Sequence, residues 1–383
     1  MTYRLPFTER KTFWRGLLDL STGCYPAFLF GGALGKLLPV FHFHDVTPAY
    51  LEPYLRYLVE NQYRTVVSDD IHHMLKTGVH TGSRTVALCF DDAWASIWTV
   101  VYPMLRQYNL TAITYAIPAR VPDAAAPRPL PSAASSPSAD GPPHATWPEL
   151  QELLSSGVVD VQAHTLTHAM IFCDDHPAGF VTPAYAPPAL AEPLLNDAAP
   201  PEFLSAADLG APIYPCRSRC SDASRFYPDP NGIAACRAYV TDNGGADYCK
   251  RPEWEKPLHD IMRRAGGRWE TPEETQRAIV REVADAREIL NARLKTDTVR
   301  HLCFPWAVAG QIAEAAARRA GYLTAFADSL FGKRAVRAGD NPYRLMRLKH
   351  QYIYALPGKP RWHFFQLGRR KRNSVNNLGN KKS

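Results

Sequence analysis

The run TVALCFDDAW at residues 85–94 decides the architecture. Six apolar or β-prone residues lead straight into Asp91-Asp92, and apolar residues then resume at helical spacing over 94–108. A strand thus delivers two carboxylates at its carboxyl end and hands the chain to a helix. Working outward, LPVFHFHDV at 38–46 is a second buried strand and 50–61 a helix, while 109–117 is a third strand. Residues 146–156 form an amphipathic helix capped by Thr146 and ended by Gly157, and 158–163 a strand that runs into His164. Later come a long helix from Pro272 to Leu294, a strand at 300–304, a helix at 311–320 ended by Gly321, a strand at 322–327 and a closing segment at 345–354. Strand and helix alternating at short spacing predict a parallel α/β architecture.

Two stretches break the rhythm. Residues 118–145 collapse to Pro, Ala and Ser, a composition that buries too little apolar surface to offset ordering entropy, so they read as a loop. Residues 173–270 are rich in Pro, Gly, Asp and Cys with little periodicity and read as one long insertion. The predicted organisation is an N-terminal apolar segment (1–37), a barrel-like body (38–357) interrupted by these two stretches, and a basic tail (358–383).

The formal net charge of +7 comes from that tail, where Lys359, Arg361, Arg369, Arg370, Lys371, Arg372, Lys381 and Lys382 face no acid. A near-neutral body argues against nucleic-acid binding, which clusters basic residues on a folded face. The best apolar run, 24–35, is closed by Lys36 and falls short of the ~18–20 residues a spanning helix needs. Glu9, Asp19 and Pro26 spoil a cleavable secretion signal, so the expectation is a cytoplasmic protein. The apolar start and the Trp362, Phe364 and Phe365 cluster beside the tail could rest on an anionic membrane surface; a solvated tail is the plainer alternative.

Chemistry-bearing groups gather after two separate strands: Asp91 and Asp92 after one, His164 and His168 after the other. In α/β barrels active sites are built at the carboxyl ends of strands. A His-x-x-x-His pair with one carboxylate, leaving positions for water and substrate, is a catalytic and not a structural metal pattern. Adjacent carboxylates point apart and repel, so one ligates while its neighbour takes a proton. Singly, a double Asp reads more often as a turn and His-x-x-x-His as a surface coincidence. Their joint placement at strand ends changes that.

Through LCFDDAW at 88–94, HTLTH at 164–168 and FPWAVAG at 304–310, the sequence resembles the polysaccharide deacetylase family, of the chitooligosaccharide deacetylase-like, carbohydrate esterase type. The likeness covers about half of the chain. It implies a distorted (β/α) barrel of about seven strands, here with a long Cys-containing insertion. It also implies removal of an N-acetyl group from an amino sugar such as N-acetylglucosamine, in a glycan or glycolipid, by way of one divalent ion, zinc by type. By motif, Asp91 matches the family's base and Asp92, His164 and His168 its metal ligands. Pro305 and Trp306 match the segment lining the substrate groove, with a buried packing pair as the alternative. His44 matches a substrate-side histidine or is a core histidine. In RLMRLKHQYI, His350 matches the acid that protonates the departing amine, unless Arg347 is the meaningful residue of that run.

Two positions depart from the family pattern. Cys303 stands where many members carry the arginine that orients the base, and Ala93 replaces the glycine after the two aspartates. Asp91 must then be held by something else, or the chain is a silent barrel that binds carbohydrate or a protein partner. Four of the eight cysteines, Cys216, Cys220, Cys236 and Cys249, lie in the insertion. They are compatible with a second, structural zinc, with two disulfides, or with unpaired thiols. The insertion directly follows the histidine motif and is expected to restrict which substrates enter.

Overall fold

The computed structural model describes residues 18–130, 143–197, 200–330, 332–362 and 366. The chain divides into two compact units, one built from the described residues from 18 to Thr165 with Ala286–Ala307 and those from Ala320 on, the other from Leu166–Asp285 with Val308–Arg319.

The first unit is a distorted (β/α) barrel of seven parallel strands. These are β1 (Val40–Phe43), β2 (Thr85–Asp91), β3 (Ala112–Ala116), β4 (Val159–Ala163), β5 (His301–Cys303), β6 (Thr324–Phe326) and β7 (Leu348–Lys349), in the spatial order β6-β5-β4-β3-β2-β1-β7. A further short strand, Arg64–Thr65, extends β2 along its edge. Every residue of β2 is buried, as a strand covered on both faces requires. The sheet curls back on itself: Leu345, three residues before β7, bridges Phe326 of β6 in parallel, while Phe41 of β1 pairs Leu348 of β7.

The helices of this unit are α1 (Pro48–Glu60), α2 (Ser68–Thr77), α3 (Tyr102–Tyr108) and α4 (Trp147–Ser155). Helix α2 lies in a stretch the periodicity passed over. The helix expected over 94–108 begins as a π-helical turn, Ile97–Val101, because Pro103 has no N–H to give the ladder. Nor is the proline-rich stretch featureless. Arg128 clamps both oxygens of the buried Glu149 at 2.6 and 2.7 Å, and Glu149 in turn accepts the Thr146 N–H that opens α4.

The apolar start belongs to this unit's core. Phe28 and Leu29 are buried, and Arg361 donates to the carbonyls of Phe28, Gly31 and Gly32. Phe28, Leu29 and Arg361 are therefore engaged within this unit, while Phe30 is exposed. In the tail, Trp362 packs on Tyr354 with ring centroids 4.7 Å apart, and Phe364 and Phe365 lie outside the described residues. No helix among the described residues is long and apolar enough to cross a membrane.

The second unit contains α5 (Pro230–Asp242), α6 (Lys256–Ala265), the first half of α7 (Pro272–Leu294), α8 (Gln311–Arg319) and four two-stranded sheets. This unit starts at Leu166, ahead of the 173–270 stretch, and includes α8, which Asp222 caps by accepting the N–H of Ile312 at 3.0 Å. It is far from core-poor. Phe180, Cys236, Val240, Tyr248, Leu258 and Met262 pack together, and Gly232 lets α5 approach α6 so closely that a Cβ there would lie 2.5 Å from Ala265.

The four insertion cysteines are not drawn into one site. Cys236 is a core residue, Cys216 sits on a strand paired with Phe172, and no three of the four bring their sulfurs together among the described residues. No disulfide links any of the eight cysteines. Their structural-zinc reading is corrected accordingly: the unit folds around a hydrophobic core, which leaves no gap in cohesion for a metal to fill.

Candidate active site

Strand β2 ends at Asp91, and the next two residues adopt left-handed backbone, with φ 72° at Asp92 and 48° at Ala93. Aspartate tolerates that region; for alanine it costs roughly 1–2 kcal/mol, the strain a glycine would avoid. The turn sends the two carboxylates to different partners.

Asp91 is gripped by Arg347. Nη1 and Nη2 donate to Oδ1 and Oδ2 at 2.7 and 2.8 Å, a bidentate pair with Asp91 buried and Arg347 nearly so. The guanidinium lies over the rings of Phe326 and Tyr115, 5.4 and 5.8 Å from their centroids. Burial alone would raise the Asp91 carboxyl, but Arg347, with His164 and His44, holds it well below the usual carboxylate range. Asp91 is thus an anion in a fixed orientation. The arginine missing at Cys303 is supplied from the segment that enters β7.

Asp92 faces the other way. Trp94 donates its indole N–H to Oδ2 at 3.0 Å, and His144 stacks on Trp94 at 4.5 Å while its Nδ1 meets the Asp92 carbonyl at 3.0 Å. His144 comes from the end of the proline-rich stretch, a contribution its composition did not announce. His164, directly after β4, places Nδ1 2.6 Å from the Cys303 carbonyl, so that nitrogen carries the proton and donates. The Nε2 lone pair then faces Asp92 Oδ1 at 3.4 Å. Two acceptors so close repel unless a cation or a proton lies between them, so the donor set fits a metal ion. His168 follows four residues later, where the second unit has begun. The loop is pinned where buried Glu282 accepts the Thr167 hydroxyl at 2.6 Å and its N–H at 3.0 Å.

His44 is exposed, with Nε2 3.8 Å from Asp91 Oδ2, and His42 stands edge-on to it with ring centroids 5.7 Å apart. Pro305 and Trp306 follow β5 in a short 3-10 turn; Pro305 is buried, Trp306 half-buried with φ 58°. His350 differs from its expected role. Its Nδ1 meets the His42 carbonyl at 3.1 Å, so that nitrogen carries the proton and Nε2 accepts from the Tyr50 hydroxyl at 2.5 Å. Its ring stacks on Phe43, and burial lowers its pKa from 6.5 to about 4. A neutral imidazole with both nitrogens engaged is a poor proton donor near neutrality, which corrects its reading as the acid. Of the two readings of RLMRLKHQYI, Arg347 is the one that reaches Asp91.

The same depression makes His350 a stability sensor. Unfolded chains bind a proton at this histidine between pH 6.5 and 4 while the folded protein does not, so its contribution is full above about 6.5 and is lost as pH falls through 4. Thermal melts across that window are expected to show a steeper loss in the parent protein than in His350→Phe; equal slopes would place the sensitivity elsewhere.

A parallel barrel that gathers an arginine-held carboxylate and a carboxylate-imidazole set at the ends of β2 and β4 defines a hydrolase-type strand-end site. Residues 78–184, which hold LCFDDAW and HTLTH, match the family model described as polysaccharide deacetylase, so the motif resemblance is borne out over that stretch. Among solved structures, the BpsB deacetylase domain of Bordetella bronchiseptica is similar in fold, with 15% identity, a TM-score of 0.52, and coverage of 83% of this chain and 97% of that one. A de-N-acetylase from Aggregatibacter actinomycetemcomitans matches with 16% identity and a TM-score of 0.46, covering 80% of this chain and 97% of that one. IcaB from Ammonifex degensii matches with 15% identity and a TM-score of 0.44, covering 82% and 92%. No curated protein matches the chain.

Proposed function

We propose that the chain hydrolyses an N-acetyl group on an amino sugar of a glycan or glycolipid, in the making of a surface polysaccharide or glycoconjugate. The observation that carries this reading is the bidentate Arg347–Asp91 pair beside the Asp92–His164 pair at neighbouring strand ends. Asp91 accepts a proton from the attacking water, whose oxygen adds to the acetamide carbonyl; as the C–N bond breaks, the same proton passes from Asp91 to the departing nitrogen, releasing acetic acid, which ionises to acetate, and the free amine. Asp92, His164 and His168 would hold one divalent ion, zinc by donor type, which when bound supplies carbonyl polarisation and acidification of water. His44, Pro305 and Trp306 would face the substrate. The silent-barrel alternative leaned on Cys303 and on the uncertain acid; Arg347, bidentate on Asp91, answers the first of these.

Acetate release from acetylated chito-oligosaccharides, followed with and without added zinc, tests the reading; no release from any acetylated sugar in metal-loaded protein would refute it. Elemental analysis of the parent and a His164→Ala variant should show one equivalent of metal lost with the histidine. Trp94→Phe removes the donor that orients Asp92, and zinc affinity is expected to weaken by about 10–100-fold in a chelator competition. Unchanged affinity would take Trp94 out of that role.

A further inference from the structure

The second unit holds a cavity of about 600 Å³ that the deacetylation chemistry does not use. That volume suits a small organic ligand. Its walls are largely apolar, Phe172, Leu195 and Ile233 among them, but three arginines also line it: Arg225, Arg237 and Arg268. Arg237 is paired with Asp208 at 3.2 Å and Arg268 with Glu274 at 2.9 Å. Arg225 is different. It is 2% exposed, its Nη2 donates to the carbonyls of Leu194 and Leu195, and its Nε has no hydrogen-bond partner. The neighbouring buried carboxylate, Glu270, gives both oxygens to Arg219 at 2.7 Å and meets Arg225 only through the backbone N–H. Among the described residues no carboxylate pairs with the Arg225 side chain, which instead lies with Arg268 over the ring of Tyr227, at 4.5 and 4.6 Å.

A buried guanidinium answered only by carbonyls and a ring is costly unless an anion completes it. We propose that this cavity binds an amphiphilic organic anion, with a carboxylate or phosphate at Arg225 and an apolar or sugar-face body along Leu195 and Ile233. The planar fork of arginine suits either head group. The source is a phosphate-bearing lipid or an acidic sugar, and matched probes separate the two.

Calorimetric titration of the full chain with octyl phosphate, octyl glucuronide and neutral octyl glucoside, below their micelle concentrations and at ~0.15 M salt so that surface attraction is screened, tests the proposal. One or both anions should bind while the glucoside binds at least about tenfold more weakly. Binding of the phosphate alone points to a lipid, of the glucuronide alone to an acidic sugar, and of both to recognition of the anion itself. Arg225→Gln should weaken the anion by about tenfold or more, and Leu195→Trp, which fills the cavity and leaves Arg225 in place, should abolish binding; if Arg225→Gln fails to fold, Leu195→Trp decides. No binding of either anion, equal binding of the glucoside, or anion binding undiminished in Leu195→Trp would overturn the proposal.

Discussion

Asp91→Asn is expected to lose turnover by about 10²–10⁴-fold, the usual weight of a positioned base, while keeping its metal. The substitution is nearly isosteric, so substrate access is unchanged, but an amide accepts no proton from water. It also turns an N–H toward the Arg347 guanidinium where an oxygen stood 2.8 Å from Nη2. The buried cation then lacks its counter-charge, and some stability goes with it. The control is Asp92→Ala, expected to lose metal and turnover together. Steady-state acetate release and metal content measured on both variants separate the roles. If Asp91→Asn turns over at the parent rate, Asp91 is not the base.

Arg347→Ala carries the second large effect. Removing one partner of a buried ion pair leaves the other charge uncompensated and typically costs about 3–5 kcal/mol. Here Asp91 would stay in its enclosed position without the guanidinium, and Phe326 and Tyr115 would lose the cation over their rings. Denaturant unfolding should register the loss, and the double variant Asp91→Asn/Arg347→Met should recover part of it, since no buried charge then remains. A positioning role makes a further demand that a purely structural role does not. Turnover in Arg347→Ala should fall chiefly in kcat with little change in KM, Arg347→Lys should keep part of it, and added guanidinium should restore some of the loss. A parent-like kcat would show that Asp91 needs no orientation from this side chain.

How far the site was legible depended on how local its signals were. The two aspartates and His164 were readable because each stands at the carboxyl end of a run of buried strand residues, where a parallel barrel builds its sites. His168 was readable as the partner of His164 on one short loop. Trp94 lay in the same run as Asp92, yet an indole two residues on reads as core until its N–H is seen to meet Asp92 Oδ2 at 3.0 Å. His144 gave no such hint, because the proline-rich composition around it reports only that the segment lacks a core of its own.

The sequence by itself determined the alternation of strands and helices, the strand ends that carry carboxylates and imidazoles, and the class of chemistry those groups can perform. These follow from side-chain periodicity and from spacing within a few residues, both of which act through local backbone geometry. The tertiary structure alone decided that Arg347, 256 positions from Asp91, is its partner, that His350 is tied to Tyr50 300 positions away, and that no three of the insertion cysteines bring their sulfurs together among the described residues. Such pairings depend on which strand ends closure of the sheet brings side by side, here β7 beside β1 with Leu345 against β6. Periodicity reports which face of an element is buried and carries no record of what it is buried against.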